Sequence, residues 1–277
     1  FDIEDWFHLL GENSTKSPKE WSNFEYRIDH NINYIFDLLE NKNLKASFFV
    51  LGWIARKFPH IVQKIDRLGH EIGTHSDLHQ LIHQQTRTEF KEDLSKSIKS
   101  IEDLVGKKVR MYRAPGFSVV DSTKWVFDEL IACGIEIDAS LCSRKTFNGG
   151  LIDFKCKEPS IISTSSGQIK EFPINLFSFF GNEIVFSGGG YFRFFPYRCL
   201  KHMAIQSNYM MTYFHPRDFD VNQPIIPNLD FSTKFRAYYG INNCYNKLNQ
   251  LTNDFDFMDI GSAEKMINWS AVEKIII

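Results

Sequence analysis

The first 140 residues alternate short apolar segments with amphipathic segments, and this alternation restricts the fold more than any other feature of the chain. Apolar residues recur every three or four positions from Ile28 to Leu39, which predicts a helix. The run 46–51 that follows is short and rich in aromatic residues, which predicts a buried strand. Repeated strand–helix pairs are typical of a parallel sheet or barrel whose functional groups lie at the carboxyl ends of the strands.

The same reasoning predicts further elements along the chain. Thr86 and Glu89 have the spacing of a capping box at the start of a helix that would end at Gly106. We also predict helices over 59–69, 125–131 and 245–251, and strands over 71–74, 109–112, 135–137, 210–214 and 255–258. Periodicity fades after residue 143. We therefore predict a single domain, residues 1–277, with a hairpin-rich insertion around 143–200.

Composition narrows the classes of partner. With 43% hydrophobic and 24% charged residues the chain is of ordinary globular composition. It contains no stretch of eighteen apolar residues, so we predict no transmembrane segment. The net charge of −2, with no basic run denser than Lys107 and Lys108, argues against a nucleic-acid partner. Five scattered cysteines without a CxxC pair favour a reducing compartment, and we expect a cytoplasmic location. The sequence carries no signal for an oligomeric state.

Two histidines form the first candidate site. His75 and His79 are four residues apart, so on a helical turn both imidazoles would project to one side and could share a metal ion. His83 continues the same spacing, and a solvated, histidine-rich helix start explains the pattern equally well. The pair alone therefore leaves both interpretations open.

A cluster of carboxylates at the start of the chain favours the metal site. Asp2, Glu4 and Asp5 would crowd together at the end of the first strand, where they repel one another unless a cation or an arginine offsets them. Arg113 ends a later predicted strand and is the candidate counter-charge. His215 follows the predicted strand 210–214. The alternatives are an exposed terminal loop for the carboxylates, a surface ion pair for Arg113 and a structural role for His215.

Taken together, the candidate residues and the segments around them resemble one family closely: the polysaccharide deacetylases with the NodB homology domain, carbohydrate esterase family 4. The segments that carry the resemblance occur in the order of the family's five motifs: FDIEDWF (1–7), HSDLH (75–79), RAP (113–115), DAS (138–140) and YFHP (213–216). The first of them, and GGGYFR at 188–193, also resemble an exopolysaccharide-associated branch with the motif DVEDWF.

The resemblance implies a distorted (β/α)7-type barrel that binds a divalent metal through one carboxylate and two histidines. His75 and His79 would be ligands. The third ligand is expected to be Asp5, because aspartate fills that role across the family, with Glu4 as the alternative. Zinc is the preferred metal given two imidazoles, and cobalt, nickel or iron also suit this ligand set.

The resemblance also implies the catalytic roles. Asp2 would be the general base and Arg113 would hold it. His215 would be the general acid, with its pKa supported by Asp138. The substrate contacts that we expect from this resemblance are Pro115 and Tyr191.

These roles predict a hydrolase that removes N-acetyl groups from amino sugars of a bacterial polysaccharide or its precursor. Hydrolysis of an unactivated amide needs a Lewis acid, a base for the water and an acid for the departing amine, and the residue types supply all three. Two alternatives remain open: a C–N hydrolase of a small cyclic amide on the same fold, and a carbohydrate-binding relative without catalysis. An open groove with exposed aromatic residues would favour the saccharide, and a closed pocket would favour the cyclic amide.

Overall fold

A computed structural model describes residues 1–151 and 154–277 of the chain. Its strands are β1 (Asp2–Ile3), β2 (Ser47–Val50), β3 (Glu71–Thr74), β4 (Met111–Tyr112), β5 (Ile137–Asp138), β6 (Ser160–Thr164), β7 (Gly167–Glu171), β8 (Leu176–Phe179), β9 (Asn182–Val185) and β10 (Lys274–Ile276). Eight of them form one sheet in the order β1-β2-β3-β4-β5-β7-β6-β10. All neighbours in this sheet are parallel except β6 and β7, which form an antiparallel hairpin. The predicted α/β class with a parallel sheet is confirmed.

Helices connect most of these strands. Their bounds are α1 (Pro18–Trp21), α2 (Ile28–Asn41), α3 (Gly52–Lys57), α4 (Pro59–Arg67), α5 (Arg87–Val105), α6 (Val126–Ala132), α7 (Gly189–Phe194), α8 (Tyr197–Ile205), α9 (Phe231–Tyr238), α10 (Cys244–Asp254) and α11 (Ile260–Met266). Short 3-10 turns occur at Asn13–Thr15, Ile82–Gln84, Pro115–Phe117, Asp121–Thr123, Pro216–Phe219 and Ile241–Asn243. Within the described ranges, no helix is both long enough and apolar enough to cross a membrane.

Local sequence explains the first half of the fold well. The Thr86 hydroxyl accepts the Glu89 N–H at 3.3 Å, and the Glu89 carboxylate accepts the Thr86 N–H at 2.7 Å. Gly106 ends α5 in the left-handed conformation at φ 65°, which glycine adopts without strain. Every residue of β2 is buried, as expected for a parallel strand covered on both faces. The capping box and the strand at 46–51 are both confirmed.

Two predicted strands near the end of the chain are wrong. Residues 210–214 are extended but form no named strand. They contact neighbouring segments through an isolated bridge between Gly188 and Tyr213, a 2.9 Å bond from the Asp2 N–H to the Phe214 carbonyl and a 3.2 Å bond from the Met211 N–H to Asn175 Oδ1. Residues 255–258 form no strand. They link the end of α10 at Asp254 to Asp259, whose carboxylate caps α11. The last strand of the sheet is β10.

The triple glycine at 188–190 allows a close backbone approach. A Cβ atom on Gly188 would lie 2.0 Å from the Tyr213 carbonyl oxygen, so only glycine fits there. The Gly189 N–H donates to the same carbonyl at 3.1 Å, at a φ of 51°. This contact fixes the start of α7 beside the segment that leads to His215.

The region around 143–200 contains two hairpins, β6–β7 and β8–β9. The first extends the main sheet, because β7 pairs with β5, and the second forms a separate two-stranded sheet. The boundaries of the insertion, and the assignment of residues 1–277 to a single domain, stay predictions.

Candidate active site

Candidate residues from distant parts of the sequence meet around one cavity of about 260 Å³. Glu4 directly follows β1, His75 directly follows β3, and His215 follows the extended segment 210–214. All three line the cavity together with Asp2 and His79. The carboxyl ends of the parallel strands β1 and β3 lie at the same edge of the sheet, and this brings Glu4 and His75 together there.

Glu4, His75 and His79 form a group that could hold a metal ion. Their candidate ligand atoms all lie within 4.8 Å of one another, and all three side chains are buried. Glu4 Oε2 lies 2.6 Å from His79 Nε2, yet this oxygen accepts no well-formed hydrogen bond from the described residues. The Nδ1 atom of His75 contacts the Arg113 carbonyl at 2.7 Å, which leaves Nε2 for a ligand. One carboxylate and two imidazoles suit zinc and other borderline metals.

The preference for Asp5 over Glu4 as the carboxylate ligand is not supported by this geometry. Asp5 Oδ1 accepts the Trp6 N–H at 2.8 Å, and Oδ2 accepts the N–H groups of Arg27 and Ile28 at 3.0 and 3.2 Å. Its carboxylate therefore serves backbone donors at the start of α2. Burial raises the pKa of Asp5 to about 6, although these backbone bonds oppose the shift. Glu4, two residues beyond Asp2, is the carboxylate beside the histidines.

The two histidines do not lie on a helical turn. Residues 75–79 form a loop after β3, and Ser76 and His79 have positive φ angles of 69° and 55°. Non-glycine residues pay a cost in this region, so the loop needs support from its surroundings. Asp93 on α5 supplies it, because its carboxylate accepts the N–H groups of Asp77 and Leu78 at 2.7 and 3.0 Å.

Asp2 and Arg113 form a buried ion pair. Arg113 Nη1 donates to Asp2 Oδ1 at 2.8 Å, and Arg113 Nε donates to the Ala139 carbonyl at 3.2 Å. The guanidinium also lies 4.3 Å from the centre of the Phe49 ring. Burial alone would raise the pKa of Asp2, but Arg113 and nearby histidines outweigh it and hold that pKa well below its usual range. Asp2 is therefore ionised at neutral pH, with Oδ2 left free of Arg113.

His215 faces both carboxylates across the cavity. Its Nε2 lies 3.9 Å from Asp2 Oδ2 and 3.7 Å from Glu4 Oε1. On the other side of the ring, Nδ1 contacts Asp218 Oδ2 at 2.9 Å, and the same oxygen accepts the His215 N–H. Burial alone would lower the pKa of His215, but Glu4, Asp218 and Asp2 outweigh it and raise that pKa to about 9. The ring can therefore carry a proton at neutral pH.

Asp218, and not Asp138, is the carboxylate that contacts His215. Asp138 accepts from the Ser140 hydroxyl at 2.5 Å, and it pairs in register with Glu171 on the neighbouring strand β7. The expected support of His215 by Asp138 is therefore not seen. Asp218 itself lies 3.3 Å from the buried Arg193, which helps to hold its pKa well below the usual range against the effect of burial.

The cavity wall is partly aromatic and open to solvent. Tyr191 and Phe147 both line it, with 41% and 71% of their surface exposed. Tyr191 thus lies where a substrate contact was expected. Pro115 is buried at the start of a 3-10 turn and is not among the described lining residues, whereas the next two residues, Gly116 and Phe117, do line the cavity.

Sequence reasoning missed three residues of this site. Asp218 lies three residues after His215, where its carboxylate can reach back to that ring, so the local spacing could have indicated it. Asp93 gave no signal, because a single half-buried aspartate at the edge of the apolar face of α5 has no distinguishing sequence pattern. His8 lines the cavity and accepts the Asp5 N–H on Nδ1 at 2.9 Å. Burial lowers the pKa of His8 to about 3, so it is neutral.

Comparison with known families accounts for most of the chain in two adjacent parts. The profile described as "Polysaccharide deacetylase" matches residues 12–132, which include His75, His79 and Arg113. This part of the chain, residues 12–132, belongs to the polysaccharide deacetylase family. A second profile, described as a domain of unknown function (DUF3473), matches residues 139–264, which include His215 and Asp218. The candidate site thus draws residues from both matched parts of the chain.

Individual relatives agree with this assignment. A peptidoglycan-N-acetylglucosamine deacetylase of Bacillus cereus is 32% identical over 96 residues, which cover 34% of this chain and 35% of that protein. Chitin deacetylase 1 of Cryptococcus neoformans is 29% identical over 90 residues, covering 32% of this chain and 19% of that protein. The match thus spans about a third or less of the length of these relatives.

A solved structure confirms the fold along the whole chain. A protein of Mycobacterium smegmatis assigned to the polysaccharide deacetylases superposes with a TM-score of 0.66 and 16% sequence identity. The superposition covers 100% of this chain and 91% of that structure. At this level of identity the likeness concerns the fold alone.

Proposed function

We propose that this polysaccharide deacetylase is a metal-dependent hydrolase that removes N-acetyl groups from amino sugars of a bacterial polysaccharide or its precursor. One observation carries the proposal. The Glu4, His75 and His79 group lines the same cavity as an ionised carboxylate, Asp2, and a histidine that can be protonated, His215. Amide hydrolysis needs this combination of groups around one carbonyl carbon.

The roles follow from the contacts of each side chain. Glu4, His75 and His79 would hold the cation, for which zinc is the preferred identity. Such a cation, when bound, polarises the acetyl carbonyl and lowers the pKa of the attacking water. Asp2 accepts the proton of that water on Oδ2, because Oδ1 is already bonded to Arg113.

His215 acts on the leaving group. Its Nε2 faces the cavity, and a proton on this atom can pass to the amine nitrogen as the C–N bond breaks. Asp218 fixes the orientation of the ring through Nδ1 and favours the protonated form. The acid therefore depends on Asp218 in the way that the base depends on Arg113.

The cavity wall favours a saccharide over a small cyclic amide. Two exposed aromatic side chains, Phe147 and Tyr191, lie at its mouth, and Arg236 lies 4.0 Å from the centre of the Phe147 ring. An open rim of this kind leaves room for sugar units on either side of the one that reacts.

Acetate release tests the proposal directly. The protein loaded with zinc is incubated with N-acetylglucosamine oligomers and with a small cyclic amide, and its metal content is measured by elemental analysis. We expect acetate release from the oligomers with about one metal ion per chain. Turnover of the cyclic amide alone would transfer the assignment to the C–N hydrolase, and binding of oligomers without any turnover would assign a carbohydrate-binding protein.

Replacing Asp218 tests the proposed acid. In Asp218→Asn the carboxylate that contacts Nδ1 is lost, so the pKa of His215 falls and less of the ring is protonated at alkaline pH. We expect the alkaline limb of the pH profile of kcat to move to lower pH, with a loss of about 10-fold to 100-fold at pH 8. Asp256→Asn, in the segment between α10 and α11, is the control. An unchanged alkaline limb in Asp218→Asn would remove Asp218 from the mechanism.

A further inference from the structure

A pair of buried carboxyl groups lies behind the candidate site. Asp138 at the end of β5 and Glu171 at the end of β7 are partners in parallel register. Residues in register on neighbouring strands project to the same face of the sheet, so the two carboxyl groups lie side by side. Both residues have 0% of their surface exposed. We refer to Asp138 and Glu171 as the carboxyl pair.

In each group of the carboxyl pair, one oxygen accepts a hydrogen bond and the other accepts none from the described residues. Asp138 Oδ1 accepts from the Ser140 hydroxyl at 2.5 Å, and Glu171 Oε1 accepts the Leu141 N–H at 3.0 Å. The remaining oxygens, Asp138 Oδ2 and Glu171 Oε2, have no donor among the residues that the structure describes. A buried oxygen without a donor is costly, and two such oxygens in neighbouring carboxylates repel each other.

The surroundings of the carboxyl pair offer little positive charge to offset two negative ones. The groups that face it are Tyr112 from β4, Tyr209 and the guanidinium of Arg113. Tyr209 already donates to the Pro173 carbonyl at 3.1 Å, and Arg113 is bonded to Asp2 and to the Ala139 carbonyl. Burial raises the pKa of Asp138 and that of Glu171, the latter well above its usual range.

We infer that Asp138 and Glu171 share one proton at neutral pH, and that the resulting hydrogen bond positions Arg113 against Asp2. A proton between Oδ2 and Oε2 would satisfy both leftover oxygens and reduce the charge of the pair to −1. The shared proton is a property of the folded chain alone. Its effect on turnover rests on the proposed function, in which Asp2 is the base.

The path from the carboxyl pair to the Arg113 segment consists of four hydrogen bonds. The pair holds Ser140 through its hydroxyl and Leu141 through its backbone N–H. The same Ser140 hydroxyl accepts the Ala114 N–H at 2.8 Å, and the Ala139 carbonyl accepts from Arg113 Nε at 3.2 Å. Both the backbone and the side chain of the Arg113 segment are thus fixed by residues that the pair fixes. Asp138 and Glu171 are positioning residues.

Infrared spectroscopy tests the shared proton without any turnover. In D₂O at pH 8 the wild-type protein should show the C=O stretch of a protonated carboxyl group, and Glu171→Gln should lose it. Glu40→Gln, an exposed position on α2, is the matched control and should keep the band. A band of equal strength in wild type and Glu171→Gln would overturn the shared proton.

Rescue by the conservative variant tests the positioning role. The glutamine of Glu171→Gln can accept the Leu141 N–H and donate to Asp138, so this variant should keep the wild-type Tm and kcat within about threefold. Glu171→Ala loses both bonds, and its kcat should fall at least about tenfold with little change in KM. Equal losses in both variants would overturn the role. An inactive wild type that shows the infrared band would refute the proposed function and leave the shared proton standing.

Discussion

The Glu4→Gln variant is expected to lose its bound metal and at least about 10³-fold in acetate release, whereas Asp5→Asn should keep the metal. Glu4 lies 2.6 Å from His79 Nε2 and belongs to the group whose ligand atoms lie within 4.8 Å of one another. Asp5 is bonded instead to three backbone N–H groups. Mutation of a residue that only contacts a metal ligand typically lowers metal affinity about 10-fold to 100-fold, so loss of a ligand itself should lower the affinity more.

Three measurements check this prediction. Elemental analysis after dialysis gives the metal content of both variants, acetate release gives the activity, and chelation of the wild type should reproduce the loss seen in Glu4→Gln. Addition of zinc should restore the chelated wild type and leave Glu4→Gln inactive. The opposite pattern, a metal-free Asp5→Asn and a metal-bound Glu4→Gln, would return Asp5 to the role that the family resemblance implied.

The Asp2→Asn variant is expected to lose about 10²-fold to 10⁴-fold in kcat while it keeps its metal. Asparagine has nearly the same shape, and its carbonyl can still accept from Arg113, but it cannot take a proton from water. Asp37→Asn, on the exposed side of α2, is the matched control and should behave as wild type. Retention of more than about a tenth of wild-type kcat would exclude Asp2 as the base.

The same variant has a defined effect on stability. The pKa of Asp2 is lower in the folded chain than in the unfolded chain, so its ionised form stabilises the fold above the unfolded pKa. That contribution is lost as the pH falls through the folded pKa. Asp2→Asn should therefore have a lower Tm than wild type at pH 7, and the difference should shrink as the pH is lowered below about 4. Circular dichroism would check that the variant used for kinetics is folded, and elemental analysis would check that it keeps its metal.

Sequence alone predicted the first half of the fold because local signals there agree with the final structure. The capping box at Thr86 and the end of α5 at Gly106 reflect contacts between near neighbours in sequence, and the short apolar run at 46–51 has the composition of a buried parallel strand. In the second half, the strand predictions were wrong where strand formation depends on partners that are distant in sequence. The extended segment 210–214 has strand-forming residues, yet its contacts with its neighbours are an isolated bridge to Gly188 and single hydrogen bonds, among them one from the Asp2 N–H of β1, rather than a continuous ladder.

The candidate site shows the same division. His75, His79, Asp2, Arg113 and His215 could be named from motifs, and the structure brings them together around one cavity or against its lining residues. The errors concern which of several carboxylates faces which partner. In the chain from Asp2 to Asp5, the choice between Glu4 and Asp5 depends on α2, whose first N–H groups bind Asp5. The partner of His215 likewise depends on a local 3-10 turn that returns Asp218 to the ring.

The hydrogen bond from the Asp2 N–H to the Phe214 carbonyl also bears on synthesis of the protein at the ribosome. Glu4, His75 and His79 all precede His215 in the sequence, so they leave the ribosome before the segment that carries His215. The proposed cation-binding groups are thus made before the proposed proton donor, which joins them later. If the proposed function holds, a nascent chain would remain unable to hydrolyse an amide until the segment 210–215 docks on β1.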